Sequence, residues 1–196
     1  MANEDVNDKA LKWKKAMEYK KKNGISLILY MRPMEGSKIS LAQSRFTVED
    51  CSVKMISNYI SDHKNYSNNP MITKFDMIEQ SATKMMFYMV MKMPLGVTNR
   101  DVVMNMDWYW QDDGSLLVLQ SGCKHDKYPE QKGMIRIDTM KLSHFKNEGT
   151  SVVGQEFSNI DFKGYFPKKM INMVISATAS KGIAEFAKMV KKMPRE

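Results

Sequence analysis

The stretch of this chain that is most specific for a fold reads Pro129-Glu130-Gln131-Lys132-Gly133-Met134-Ile135-Arg136-Ile137. A shorter motif precedes it, Asn99-Arg100-Asp101-Val102-Val103. A third motif follows it, Lys163-Gly164-Tyr165-Phe166-Pro167-Lys168-Lys169-Met170-Ile171-Asn172. None of the three is a catalytic signature, such as a nucleophile elbow or a glycine-rich phosphate loop. Their order and spacing along the chain are therefore the property that identifies a fold.

Taken in this order, the three motifs resemble those of the START family, the lipid-transfer domains related to the steroidogenic acute regulatory protein. The likeness extends over nearly the whole chain and is most specific over residues 96–172. The resemblance implies an α+β helix-grip fold, in which a curved antiparallel β-sheet wraps around a long C-terminal α-helix and encloses an internal lipid tunnel. It also implies that residues 1–196 form a single lipid-binding domain.

The length and composition agree with one globular domain. A chain of 196 residues with 43% hydrophobic and 27% charged residues is long enough to bury a full core. No apolar run reaches the length of a transmembrane helix, and the acidic start lacks the features of a secretory signal or transit peptide. Two widely separated cysteines, Cys51 and Cys123, are typical of reduced thiols. We therefore expect a cytoplasmic monomer that is peripheral at membranes.

The net charge of +8 favours an acidic partner, either an anionic membrane or nucleic acid, with general solubility as the plain alternative. Nucleic-acid binding needs aromatic residues among basic ones, whereas Trp108-Tyr109-Trp110 is followed by Gln111-Asp112-Asp113. We therefore expect transient contact with an anionic membrane surface and no nucleic-acid partner. The twenty methionines suit a flexible lipid cavity, although a compositional bias explains them equally well.

Hydrophobic periodicity predicts three helices and an antiparallel sheet. An amphipathic N-terminal helix is predicted over 4–22, because Val6, Ala10, Trp13 and Met17 recur at helical spacing before a stop at Asn23-Gly24. A second helix is predicted over 48–60 with Thr47 as its cap, and a long third helix over 167–192. Strands are predicted over 25–31, 38–46, 71–79, 82–93, from residue 102, 115–121, 133–142 and 150–161, with a loop over 61–70. Because turns join consecutive strands, the sheet is antiparallel.

Residues suited to catalysis or metal binding are sparse. The three histidines lack the spacing of a zinc site. Cys123 and His125 would share one face of a strand and could react as a pair, but a thiol beside a solvated imidazole at a loop end explains them more simply. We therefore predict no enzymatic activity, no metal and no cofactor.

The tunnel that the resemblance implies would be lined by apolar residues of the later strands and the last helix. The predicted lining consists of Phe87, Met89, Met104, Met106, Trp108, Leu117, Leu119, Met140, Phe157, Phe166, Met170, Met173, Val174 and Ala177, with Arg136 as the remaining nearby charge. In the sterol-binding branch of the family, an acidic residue and an arginine occupy the tunnel positions that spacing assigns here to Phe87 and Met106. The choline-phospholipid branch also has an arginine at the Met106 position. Because both residues are apolar here, phospholipid and sterol both remain candidate ligands.

An enclosed ligand requires an opening. The predicted gate and membrane contact consist of Leu95, Gly96, Val97, Lys168 and Lys169, since apolar residues in a glycine turn and paired lysines at a helix start suit an anionic membrane. The predicted function is non-catalytic binding and intermembrane transfer of one lipid. Two alternatives stay open, namely a helix-grip enzyme of cyclase or hydrolase type and a lipid-sensing interaction module.

Overall fold

The computed structural model describes residues 13–21, 24–34, 40–94 and 96–165, together with positions 186, 188, 190 and 192. Within this part of the chain, ten strands form one sheet and two short helices lie between the third and fourth strands. The strands are β1 Lys14–Lys21, β2 Ile25–Pro33, β3 Ser40–Glu49, β4 Ile72–Gln80, β5 Lys84–Met91, β6 Arg100–Trp110, β7 Leu116–Cys123, β8 Ile135–Arg136, β9 Asp138–Glu148 and β10 Ser151–Asp161. The helices are α1 Val53–Ser61 and α2 Lys64–Ser67.

The order of strands across the sheet is β1-β2-β3-β10-β9-β7-β6-β5-β4, and every neighbouring pair in this order is antiparallel. The short strand β8 lies off this path and pairs in parallel with the start of β6. The predicted antiparallel sheet is thus confirmed. The predicted strand over 133–142 is divided, because Ile135–Arg136 turns toward β6 before β9 begins at Asp138.

The predicted N-terminal helix over 4–22 is wrong for residues 14–21, which form the edge strand β1, while residues 1–12 lie outside the described part. Met17 and Tyr19 alternate with exposed neighbours and pack against the core at a period of two. Gly24 lies in a turn directly before β2 and has a φ of 77°. The free edge of β2 offers backbone partners to this segment, and that tertiary pairing outweighs a helical spacing.

The helix α1 starts later than predicted. Thr47 is not its cap but a residue of β3, paired with Val153. Ser52 caps the helix instead, because its hydroxyl accepts a hydrogen bond from the Met55 N–H at 3.2 Å. The Asn147 side-chain oxygen accepts another from the Val53 N–H at 3.0 Å. The predicted loop over 61–70 contains the short helix α2.

The sheet has two faces of different character. The inner face is the one on which α1 packs and on which the main core lies. Its buried strand residues include Met85, Phe87, Val102, Met104, Met106, Trp108, Leu116, Val118 and Phe145. The opposite face, here the outer face, has a smaller buried cluster of Tyr88, Val90 and Val103. Burial on both faces explains why β5 reads as a nearly continuous apolar run.

Most of the predicted C-terminal helix over 167–192 lies outside the described residues. Positions 186, 188 and 190 are helical. Val190 is fully buried in the inner-face core, and the Phe186 ring lies 5.0 Å from that of Tyr59 on α1. Positions 186 and 190 therefore lie against the inner face, while the full length of the helix and the tunnel stay predictions.

Candidate functional site

The centre of the inner face is built by two adjacent strands, β5 and β6. Their register pairs Phe87 with Met104 and Met85 with Met106. Because paired residues of antiparallel strands point to the same side, these side chains form one apolar surface. Phe87 is 2% exposed and Met106 is fully buried. Of the predicted lining residues, Phe87, Met89, Met104, Met106 and Trp108 therefore lie together on the inner face.

An aromatic cluster borders this surface at the β4 edge. The Phe87 ring lies 5.1 Å from Phe75 and 5.4 Å from Tyr66 of α2. The Tyr66 hydroxyl donates a hydrogen bond to the Ile60 carbonyl at 3.1 Å and contacts the Met106 sulfur at 3.7 Å. Burial raises the pKa of Tyr66 above its ordinary value, so this phenol stays protonated and acts as a donor. The cluster fixes the position of Met106 within the apolar surface.

Leu117 and Leu119 do not belong to this surface, so the predicted lining is wrong for both. Leu117 pairs with Tyr109 and Leu119 with Asp107, which places them on the outer face. Their neighbour Val118 pairs with Trp108 and lies on the inner face. The run 116–119 is apolar at every position, so alternation within β7 could not show which side faces inward.

Met140 and Phe157 are also on the outer face, and the predicted lining is wrong for them as well. Met140 is 60% exposed and pairs with Ser121. Phe157 pairs with Leu142, which is itself 43% exposed. The alternate residues of β9 face inward instead, and among them Phe145 is buried in the core.

Arg136 lies on the outer face and holds a loop rather than lining the inner surface. Its Nε and Nη2 atoms bind the two Asp101 carboxylate oxygens at 3.0 and 2.9 Å. Its Nη2 also donates to the Tyr128 carbonyl at 3.0 Å. Tyr88 donates to Asp101 at 3.2 Å, and its ring stacks on Tyr128 with centroids 4.5 Å apart. Burial, reinforced by the Asp101 charge, raises the pKa of Tyr88 to about 12, so the phenol remains a donor at neutral pH.

Arg100 ties together the three sequence motifs. It is fully buried, and its guanidinium donates to the carbonyls of Phe162 at 3.1 Å, Lys163 at 2.9 Å and Tyr165 at 3.3 Å, and to that of Thr98. Its backbone pairs with Ile135 of the second motif. The motifs are therefore recognisable as a set because they meet at the start of β6.

The close approach at this meeting point explains a glycine in the third motif. Gly164 has a φ of 60°, and a Cβ atom placed on it would lie 2.7 Å from the Ile135 Cδ1 atom. A side chain at position 164 would thus strain the backbone, and the end of the Ile135 side chain would have to shift.

A polar group on the inner face was missed by sequence reasoning. The Lys141 ammonium lies 2.8 Å from the Glu156 Oε2 atom, which also accepts a hydrogen bond from the Ser143 hydroxyl at 3.3 Å. The amide nitrogen of Gln120 lies 3.1 Å from the Met106 sulfur. The alternation of β9 could have revealed this group, since an inward Phe145 requires Lys141 and Ser143 on the same side.

The predicted gate is described only in part. Gly96 is exposed with a φ of 84°, and the Val97 N–H donates to the Pro94 carbonyl at 3.1 Å in a turn. The remaining predicted lining and gate residues, Leu95, Phe166, Lys168, Lys169, Met170, Met173, Val174 and Ala177, lie outside the described residues.

The described part of the chain was predicted to lack groups suited to metal binding or nucleophilic catalysis, and the relevant side chains lie as follows. Within the described residues, no three His, Cys, Asp or Glu side chains lie close enough together to hold a metal ion. Burial raises the pKa of the Cys123 thiol, which disfavours the reactive thiolate. The Nδ1 atom of His125 accepts a hydrogen bond from the Lys127 N–H at 3.2 Å.

The family model described as START domain matches residues 5–196. The chain belongs to the START domain family. No curated protein sequence matches it. No helix in the described part of this START domain is both long and apolar enough to cross a bilayer.

Solved structures share the START fold with this chain. Human STARD10 is 17% identical with a TM-score of 0.76, and the match covers 99% of this chain and 82% of that protein. A STAR-related lipid transfer protein from Xanthomonas axonopodis is 18% identical with a TM-score of 0.71, covering 90% of this chain and 98% of that fragment. The Zhui aromatase/cyclase from Streptomyces sp. R1128 is 7% identical with a TM-score of 0.52, and the match covers 78% of this chain and 92% of that protein. At these identities the likeness shows the fold alone.

Proposed function

We propose that this START domain binds one lipid molecule against the inner face of its sheet and carries it between membranes without changing it chemically. The observation that carries the proposal is the continuous apolar surface of Phe87, Met104 and Met106 on the inner face of a chain of this family. The similarity to the STAR-related lipid transfer protein from Xanthomonas axonopodis supports it.

Affinity for such a ligand can come largely from its tail. Each buried methylene contributes about 0.8 kcal/mol, so a chain of about fifteen carbons supplies on the order of 12 kcal/mol before the costs of association. The few polar groups then decide which lipid is chosen, with phospholipid and sterol as the first classes to test.

The direct test is native mass spectrometry of the purified protein, followed by extraction of its ligand and a transfer assay between vesicles. We expect one lipid per chain, recovered with unchanged mass after incubation. A chain that binds no lipid in a broad extraction and overlay screen contradicts the proposal. A ligand whose mass changes during incubation would instead support the cyclase or hydrolase alternative, and a tight protein partner recovered by pull-down would support the lipid-sensing one.

Replacing Met106 by arginine is expected to weaken lipid binding by at least about tenfold, because it introduces a charge without a counter-charge at a fully buried apolar position. Titration of delipidated protein with lipid measures the effect, and circular dichroism checks that the variant is folded. Met140→Arg is the matched control, since Met140 is 60% exposed on the outer face. Equal lipid affinity of folded Met106→Arg and the unmodified protein would refute this position of the ligand.

Transfer is expected to be faster to anionic than to neutral vesicles, and slower when Lys168 and Lys169 are both replaced by glutamate. Each lysine near an anionic surface contributes about 1 kcal/mol, and salt screens this contribution. The transfer rate at low salt measures the effect, while ligand affinity should stay unchanged. The control replaces the exposed Lys124 and Lys127 in the same way. Equal rates on both kinds of vesicle would exclude this membrane contact but leave lipid binding intact.

A further inference from the structure

A strip of polar side chains crosses the otherwise apolar inner face. Register places Glu156 between Ser44 on β3 and Ser143 on β9, and places Lys141 between Ser158 on β10 and Gln120 on β7. The polar strip is thus defined by Ser44, Gln120, Lys141, Ser143, Glu156 and Ser158. It has apolar neighbours on both sides, since Gln120 pairs with Met106 and since Phe145 follows two residues after Ser143.

The ion pair in this strip is neither exposed nor closed off. The side chains of Lys141 and Glu156 are 33% and 22% exposed, whereas Ser143 is 2% exposed. Both contacts to the carboxylate, from Lys141 at 2.8 Å and Ser143 at 3.3 Å, use the same oxygen, Oε2. The Oε1 atom has no hydrogen-bond partner among the described residues, and two of the three N–H groups of Lys141 are also available there. One acceptor and one donor therefore stand side by side on an apolar surface.

We propose that the polar strip binds the hydroxyl of a lipid whose headgroup is uncharged, with Glu156 accepting the hydroxyl proton in a hydrogen bond and Lys141 donating to the hydroxyl oxygen. This inference rests on the proposed function and names the ligand class for it. A hydroxyl is both donor and acceptor, so it satisfies both partners without separating them.

Charge balance selects the uncharged headgroup over the charged alternatives. The pair is neutral as it stands, so an anionic or cationic headgroup would add an uncompensated charge to a partly buried site. A phosphocholine headgroup could accept from the available Lys141 N–H groups through its phosphate, but this would leave the free Glu156 oxygen without a donor. A choline group, moreover, has no N–H to donate to the free Glu156 oxygen.

The test compares each hydroxyl lipid with an analogue that lacks only the hydroxyl proton. Delipidated protein is titrated with dioleoylglycerol against its 3-O-methyl ether, with cholesterol against its 3-methyl ether, and with dioleoylphosphatidylcholine. We expect one of the hydroxyl lipids to bind at least about tenfold more tightly than its ether, because the ether leaves the carboxylate oxygen unpaired.

The matched variant replaces the pair together, Lys141→Met with Glu156→Leu, so that no lone charge is left on the inner face. It should still bind lipid but lose the preference for hydroxyl over ether. The control, Lys84→Met with Glu79→Leu, removes an ion pair of 3.3 Å on the outer face of the sheet and should keep the preference. This inference alone would be overturned by tight binding of both members of each lipid pair or by a preference for phosphatidylcholine. It would also be overturned if the preference for hydroxyl over ether survives the replacement of Lys141 and Glu156. Failure to bind any of the five lipids would also overturn this inference, and the proposed function would fall with it only if the broad extraction and overlay screen recovers no lipid either.

Discussion

Replacing Arg100 by methionine should lower the free energy of unfolding by about 3 to 5 kcal/mol. The guanidinium is fully buried and donates to the carbonyls of Phe162, Lys163, Tyr165 and Thr98. Methionine fills a similar volume but donates to none of them, so these carbonyls lose their charge-assisted hydrogen bonds. Urea unfolding followed by circular dichroism measures the loss.

The same variant should also release lipid faster, because Arg100 holds the chain segment 162–165 against the start of β6. Arg100→Lys should recover only part of the stability, since one ammonium cannot reach all of these carbonyls. Arg45→Met is the control, because Arg45 is exposed on β3 and its replacement should change stability little. A stable Arg100→Met variant with an unchanged rate of lipid release would show that the motifs are not held together by this side chain.

Replacing Arg136 by glutamine should also lower the free energy of unfolding by about 3 to 5 kcal/mol. Asp101 is 1% exposed, and Arg136 binds both of its carboxylate oxygens. Without Arg136 the carboxylate would be left buried with the Tyr88 phenol at 3.2 Å and no counter-charge. The change is measured by urea unfolding at neutral pH.

A double replacement tests whether the unpaired charge is the cause of the lost stability. Asp101→Asn together with Arg136→Gln should be more stable than Arg136→Gln alone, because the amides can bond to each other without an unpaired charge. Breaking the exposed pair of Lys146 and Asp113 by Lys146→Met is the control and should change little. If the double variant is less stable than Arg136→Gln, the unpaired carboxylate is not the source of the loss.

Part of the candidate site was predictable because apolar and polar residues alternate clearly in the second half of β6. Met104, Met106 and Trp108 are separated by Asn105 and Asp107, so one face had to be apolar. The predictions failed where a stretch of a strand is apolar at every position, as at Leu117 and Leu119, or where polar residues face inward, as in β9. In those strands only the neighbour's register decides the side, and a shift by one residue exchanges the two faces.

Local sequence was enough to establish the family, the antiparallel sheet and most strand positions, because motif order, turn residues and apolar runs are properties of neighbouring residues. Tertiary structure alone decided that residues 14–21 form an edge strand, that Arg136 holds the outer loop, and that Lys141 meets Glu156 on the inner face. Each of these depends on a partner that lies in another strand of the sheet. A pairing of that kind is selected by the backbone hydrogen bonds, burial and charges of the assembled sheet, which no window of sequence contains.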